Sequence, residues 1–413
     1  VSQPSSIYTK VQVLHAALTV LIALLFPLTK RFMPPLIALW VLTSFFLFSR
    51  ANARMGWGAL LMLGAYYLCN LLWYGVSDNR EAASFALEVK LSFILFPLVW
   101  MFLPAVEMRQ RLNVLLALVW GCLAFVGASL IHSGIAFAET GDIGEFYYAR
   151  LAWFFHPTYL ATYEAFALVV LGWMFVKKMF ALGNPWIHHT TAALLIIHAA
   201  LLESKAGFLC VILALFLVAI LQIQRKRLRA GVVYFISGVT VLFATVYVSP
   251  ASENRWGEVV QATGGINDQA PGEEIQAKSS SGGRIVAWKT SLEILHEHPF
   301  GVGTGDVTDE LMLRYKRDGE TYAYAKGLNP HNQFLQAAVA FGWIGLLVLL
   351  LVFGAGFQVA VARGDFIFGA FLMLLLLNML FESFFEVQSG VVFFAFFYSF
   401  FVKSNPSIRS GRY

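Results

Sequence analysis

One polar stretch, residues 249–332, lies between apolar runs of membrane length, and the side chains suited to chemistry gather in it. Ser279-Ser280-Ser281-Gly282-Gly283-Arg284 stands ahead of a segment with helical periodicity. Serines and glycines before a helix leave backbone N–H groups free for an anion, and an arginine there adds a planar fork that fits phosphate oxygens. At the far end, Asn329-Pro330-His331-Asn332 runs straight into an apolar helix. A histidine at the mouth of a membrane helix is held in place yet open to water. Since free imidazole titrates near pH 6.5, a histidine so placed can accept a proton. The sequence therefore predicts an anion site beside a base.

Other outward-facing groups are weighed in the same way. Glu203-Ser204-Lys205 forms a tight turn between two apolar runs, with Lys205 at the start of a helix near the headgroup level. Arg150 sits among Tyr147, Tyr148, Trp153, Phe154 and Phe155, which reads as an interfacial aromatic belt or as a further cation at the anion site. Glu382 and Glu386 precede the last apolar run and read as structural. His296-Glu297-His298 looks like a metal pair, but residues two apart on a helix point to different sides, so no metal is expected there. Gly301-Val302-Gly303-Thr304-Gly305 follows no strand and reads as a flexible connector. No two aspartates are separated by a single residue, so the metal clamp of nucleotide-sugar enzymes has no counterpart.

Composition places these groups in a membrane. Hydrophobic residues make up 59% of the 413 and charged residues 13%, against about 25% charged in a soluble domain. Twelve apolar runs approach the roughly 20 residues of a crossing helix: 11–29, 35–49, 56–76, 89–106, 112–132, 157–176, 190–204, 206–224, 231–248, 333–357, 366–381 and 387–402. The expected fold is all-α and polytopic, divided into 1–248 (helices 1–9), 249–332 (an outward, mostly helical loop domain) and 333–413 (helices 10–12 and a tail). With the N-terminus cytoplasmic, the inner short loops carry fifteen Lys and Arg and the outer ones five, which puts both termini inside. The net charge of +5 follows this asymmetry and does not signal a nucleic-acid partner. Cys69, Cys122 and Cys210 all fall in apolar runs, so no disulfide framework is expected in the loop.

Within 249–332, twelve acids against eight Lys and Arg leave a net charge of −4, so an anion must be held locally, which points to Arg284. Helices are expected over Arg284–His298, with Ile285, Trp288, Leu292 and Leu295 as its apolar stripe, and over Asp306–Arg317.

In this order, the Ser204-Lys205 turn, Ser281-Gly282-Gly283-Arg284, His296-Glu297-His298-Pro299-Phe300-Gly301-Val302-Gly303-Thr304-Gly305 and Asn329-Pro330-His331-Asn332-Gln333-Phe334-Leu335 resemble the O-antigen ligase family. The larger group includes O-antigen polymerases and protein O-oligosaccharyltransferases. The resemblance implies transfer of a polysaccharide from undecaprenyl diphosphate to a sugar hydroxyl of lipid A–core, at the periplasmic face of a bacterial inner membrane. It needs no cofactor. His331 matches the family's essential histidine and Arg284 its loop arginine. Lys205 departs from the pattern, which usually has arginine after that serine; lysine keeps the charge but loses the two-pronged geometry.

The chemistry expected is loss of the acceptor proton to His331 while Arg284, Lys205 and Arg150 balance the leaving diphosphate. Attack opposite that leaving group inverts the anomeric centre. Structural readings stand alongside: His331 as a helix cap, and Arg284 as the partner of Glu273 or Glu274. A twelve-helix transporter is the alternative outside enzymes, but Glu164 is nearly the only ionisable group at depth.

Overall fold

The computed structural model describes residues 6–49, 52, 55–179, 184–249 and 280–406. Among these residues the chain is all-helical, and its one β-like feature is an isolated bridge between Val106 and Ser404. The first helices are α1 (Ser6–Leu25), α2 (Met33–Phe45), α3 (Trp57–Tyr74), α4 (Arg80–Lys90), α5 (Ser92–Phe102) and α6 (Met108–Thr140). A short α7 (Tyr148–Leu151) precedes α8 (Pro157–Val176), α9 (Pro185–Leu201), α10 (Lys205–Gln224) and α11 (Leu228–Val248). After the loop come α12 (Ser280–Glu297), α13 (Val307–Arg317) and α14 (Thr321–Lys326), then α15 (Gln333–Ala362), α16 (Phe366–Met379) and α17 (Gln388–Lys403).

Each of the twelve apolar runs falls on a helix. Seven spans among the described residues are long and apolar enough to cross a membrane: α1, α4 with α5 taken together, α6, α8, α10, α11 and α15. α2, α16 and α17 are apolar but shorter. The fourth span starts at Arg80 and not near 89, because α4 continues into α5 with Leu91 still helical.

The core is built on α8, whose residues are buried on nearly every side. A helix apolar all round needs neighbours all round, and α6, α9, α10 and α16 supply them. α17 presents Phe393, Phe394, Phe396, Phe397, Phe400 and Phe401, all fully buried; Phe393 and Phe397 meet Phe371 tilted, Phe394 stacks on Phe371, and Phe397 meets Phe166 edge-on. One end of the helix bundle is tied by a buried bidentate pair, Arg111 to Asp365 at 2.7 and 2.6 Å, and by Lys403 donating to the Asn52 carbonyl at 2.8 Å. Glu164 is not alone at depth: His198 Nδ1 lies 2.7 Å from its carboxylate and His198 Nε2 lies 2.9 Å from Ser129 Oγ.

The outer helices correct two expectations. α12 forms where a helix was expected, and Leu295 of the expected stripe is buried, but Ile285 and Trp288 are only half-buried, Leu292 is 55% exposed, and the buried face is made by Gly283, Val286, Ala287, Thr290, Ser291 and Ile294. Small residues set this face. A Cβ on Gly283 would press on Leu328 and Tyr322, so α12 seats closer than large apolar side chains would allow. Residues 301–305 are not a flexible connector. α15 breaks at Gly342 (φ 66°, ψ −158°), and this frees the Val339 and Ala340 carbonyls to accept from Val302 N at 2.9 Å and Gly303 N at 3.0 Å. Thr304 Oγ1 donates to the Asn70 carbonyl at 2.7 Å, and the Asp306 carboxylate accepts from the Asp78 and Asn79 amides at 3.0 and 2.8 Å. The glycine run wedges the outer helices onto α3, α4 and α15.

Candidate active site

Three segments distant in sequence meet at Glu382, in the turn between α16 and α17. Arg284, at the end of the first turn of α12, donates from Nη2 to Glu382 Oε1 at 3.0 Å. His331 Nδ1 lies 3.5 Å from Glu382 Oε2, and Thr158 Oγ1 lies 3.5 Å from Oε1. Thr158 Oγ1 is also 2.8 Å from Ser204 Oγ, which caps α10 by accepting from Gly207 N at 3.1 Å. Lys205 is the next residue, opening that helix. The side chain of Glu382 is 8% exposed, against 20% for Arg284 and 26% for His331. A nearly buried carboxylate thus holds two cationic or basic groups that still reach solvent.

Burial alone would raise the Glu382 pKa. The hydrogen bond from His331 and the charges of Arg284 and His156 outweigh it and hold the carboxyl below its ordinary value, so it is ionised at neutral pH. The pKa of His156, at the N-cap of α8, is lowered as well, which favours its neutral form: burial is the main cause, and His331, Arg284 and Lys30 lower it further against the opposing charge of Glu382.

The backbone around His331 is specialised. His331 has φ 45°, in the left-handed region, and its N–H donates to Asn329 Oδ1 at 2.9 Å. The cap of α15 belongs to Asn332, whose Oδ1 accepts from Phe334 N at 2.9 Å and Leu335 N at 3.1 Å. His331 is therefore not the helix cap, and its ring is turned to Glu382. A carboxylate at Nδ1 favours the tautomer with its hydrogen there and leaves the Nε2 lone pair available.

The Glu382 turn is fixed from beneath. Asn378 Nδ2 donates to Thr162 Oγ1 at 2.7 Å, and Glu382 N donates to the Asn378 carbonyl at 3.0 Å. One turn on, Glu386 pairs with the buried Lys90 at 2.7 Å, and Gln333 Oε1 accepts from Phe385 N at 2.6 Å. Glu386 keeps the structural role expected of it. Glu382 was expected to be structural too, yet it is the point where the other groups converge. The only sequence signal for it was a lone acid pair at an outward turn between two apolar runs.

The remaining candidates divide. Ser280, Ser281, Gly282 and Gly283 lie within the first turn of α12 and not ahead of it, since the helix starts at Ser280, while Ser279 lies outside the described residues. Arg150 is exposed and bound to Asp142 at 2.5 Å and Glu145 at 3.1 Å, and no contact joins it to Arg284 or His331. Glu273 and Glu274, the alternative partners for Arg284, lie outside the described residues. His298 and His296 form no metal cluster with other ligands among the described residues.

Residues 190–350 match the family model described as O-Antigen ligase, a stretch that includes Lys205, Arg284 and His331 and stops short of Glu382. No curated protein sequence matches the chain. Over residues 190–350 this multi-pass, all-helical protein is similar to the O-antigen ligase family.

Proposed function

We propose that the chain is an O-antigen ligase, moving a polysaccharide from undecaprenyl diphosphate to a sugar hydroxyl of lipid A–core. The observation that carries this reading is the meeting of Arg284 and His331 on one ionised, nearly buried carboxylate. His331 Nε2 removes the proton of the acceptor hydroxyl as its oxygen attacks the anomeric carbon, and Glu382 stabilises the imidazolium that forms. The bond from the anomeric carbon to the diphosphate oxygen breaks, and its electron pair leaves with the lipid diphosphate. Arg284 balances that charge with the N–H groups it does not give to Glu382, and Lys205 adds a second positive charge. A single displacement of this kind inverts the anomeric centre. Arg150 is assigned to the outer approach, because Asp142 and Glu145 already balance its charge.

In this reading all twelve apolar helices cross the bacterial inner membrane, both termini are cytoplasmic, and 249–332 and the site face the periplasm. The fifteen-to-five asymmetry of Lys and Arg supports that orientation. Deleting the gene in its host and examining lipopolysaccharide ladders tests the reaction. Loss of ladder bands with lipid-linked polysaccharide still accumulating identifies a ligase, whereas capping of the core by a single repeat identifies a polymerase.

A further inference from the structure

Beside the Glu382 turn, the outer ends of α1, α2 and α17 enclose a groove of about 60 Å³. Phe26, Met33, Val387 and Val392 form its apolar walls, Gln388 stands at its edge, and Lys30 is at its rim. No carboxylate lines it, and among the described residues none pairs with Lys30. Lys30 Nζ donates to the Phe154 carbonyl at 2.8 Å and lies 4.8 Å from the Phe155 ring centroid, which fixes the ammonium beside the chain segment that leads into His156. Two residues further on, Thr158 reaches Ser204 and Glu382. The groove thus starts between helix ends and finishes at a cation next to the reaction centre.

Partial burial lowers the Lys30 pKa with no carboxylate to offset it. One backbone carbonyl occupies one of its three N–H groups and leaves the others to donate. An apolar channel that ends at such a group complements an amphiphile whose anionic head is joined directly to a hydrocarbon chain. Its volume takes part of one chain. A lipid diphosphate sets its charge directly at the end of the chain, where Lys30 stands, whereas a phospholipid puts ester and glycerol groups between chain and phosphate.

We propose that the groove holds the isoprenoid segment next to the diphosphate of the lipid-linked donor, with Lys30 donating to that diphosphate as a cation additional to Arg284. The inference rests on the donor reading given under Proposed function. Lys30 is then a binding residue, and Gln388 sits at the entrance to the lipid path.

The test measures binding of glycan-free undecaprenyl diphosphate, inorganic pyrophosphate and phosphatidylglycerol to the full-length detergent-purified protein. The expected order is undecaprenyl diphosphate well above the other two. Lys30→Ala should weaken undecaprenyl diphosphate about tenfold, the scale of one charge-assisted hydrogen bond. Lys30→Arg should restore it, which a merely structural link to Phe154 would not require. Gln388→Trp, at an exposed position, should remove the preference for undecaprenyl diphosphate over pyrophosphate while pyrophosphate binding persists. Unchanged affinity in both Lys30→Ala and Gln388→Trp, with the wild type binding the lipid, overturns the groove and leaves the donor reading standing. Wild-type protein that fails to bind the lipid diphosphate overturns both, and equal binding of phosphatidylglycerol overturns the choice of ligand.

Discussion

His331 Nδ1 faces Glu382 Oε2 at 3.5 Å across 51 residues of chain, and the same carboxylate receives Arg284 on its other oxygen. This is a long hydrogen bond, of the kind that tightens when substrate excludes water. The carboxylate therefore orients the base and restrains the cation at once, and its removal should separate the two tasks.

Glu382→Gln keeps the size and removes the charge. Turnover should fall on the order of 10²-fold, because the imidazolium loses its counter-charge, while donor affinity holds or rises as Arg284 is released. The change also bears on acid stability. A carboxyl held below its ordinary value of 4.5 contributes stability above that pH, and the contribution is lost as pH falls through the folded-state value. Thermal melts of the wild type should therefore drop below about pH 4.5 more steeply than those of Glu382→Gln; parallel acid limbs would show that Glu382 is not held ionised by its neighbours.

The diphosphate cations are predicted to be unequal. Arg284→Ala should raise the donor KM strongly, Lys205→Ala should raise it less, and Lys205→Arg should match or exceed wild type, because the planar fork grips two phosphate oxygens. Normal turnover of Arg284→Ala at limiting donor, with the protein shown to be folded, would remove that residue from the site.

Gly301 has φ 82°, and a Cβ there would run into the Ala340 carbonyl at the break in α15. Gly301→Ala should destabilise the protein by about 2 kcal/mol or more, through both the backbone conformation and the collision. Equal melting temperatures for the two proteins would mean that the glycine wedge does not hold the outer helices.

Orientation is open to thiol labelling. Lys289 is well exposed on α12, Ala230 is exposed near the start of α11, and the native Cys69, Cys122 and Cys210 are buried. In whole cells an impermeant reagent should label Lys289→Cys and spare Ala230→Cys. The reverse pattern would turn the protein over and place the site on the wrong side for the proposed acceptor.

Much of this was legible in the chain. The apolar runs located the helices because hydrocarbon length constrains sequence directly. α13 was expected over 306–317 and is found at Val307–Arg317. The face of α12 was read correctly at Leu295 but misread at Ile285, Trp288 and Leu292, because hydropathy gives weight to large apolar residues, whereas close packing is set by Gly283, Ala287 and Ser291, which carry little hydropathy signal. Arg284 and His331 stood out because each lies beside turn and cap residues. Glu382 did not, since its meaning depends on contacts across 98 and 51 residues that no local spacing encodes. The wedge at 301–305 was hidden for the same reason: its partners are carbonyls freed by a break forty residues away.

The most direct test compares turnover with donor affinity for His331→Ala in purified protein, with and without chelator. Loss of a general base should cost on the order of 10²–10⁴ in rate and leave donor binding nearly unchanged, in the presence or absence of chelator. A parallel loss of donor affinity would move His331 from the base to the diphosphate site, and wild-type activity abolished by chelator would contradict a reaction run by His331 and Glu382 alone.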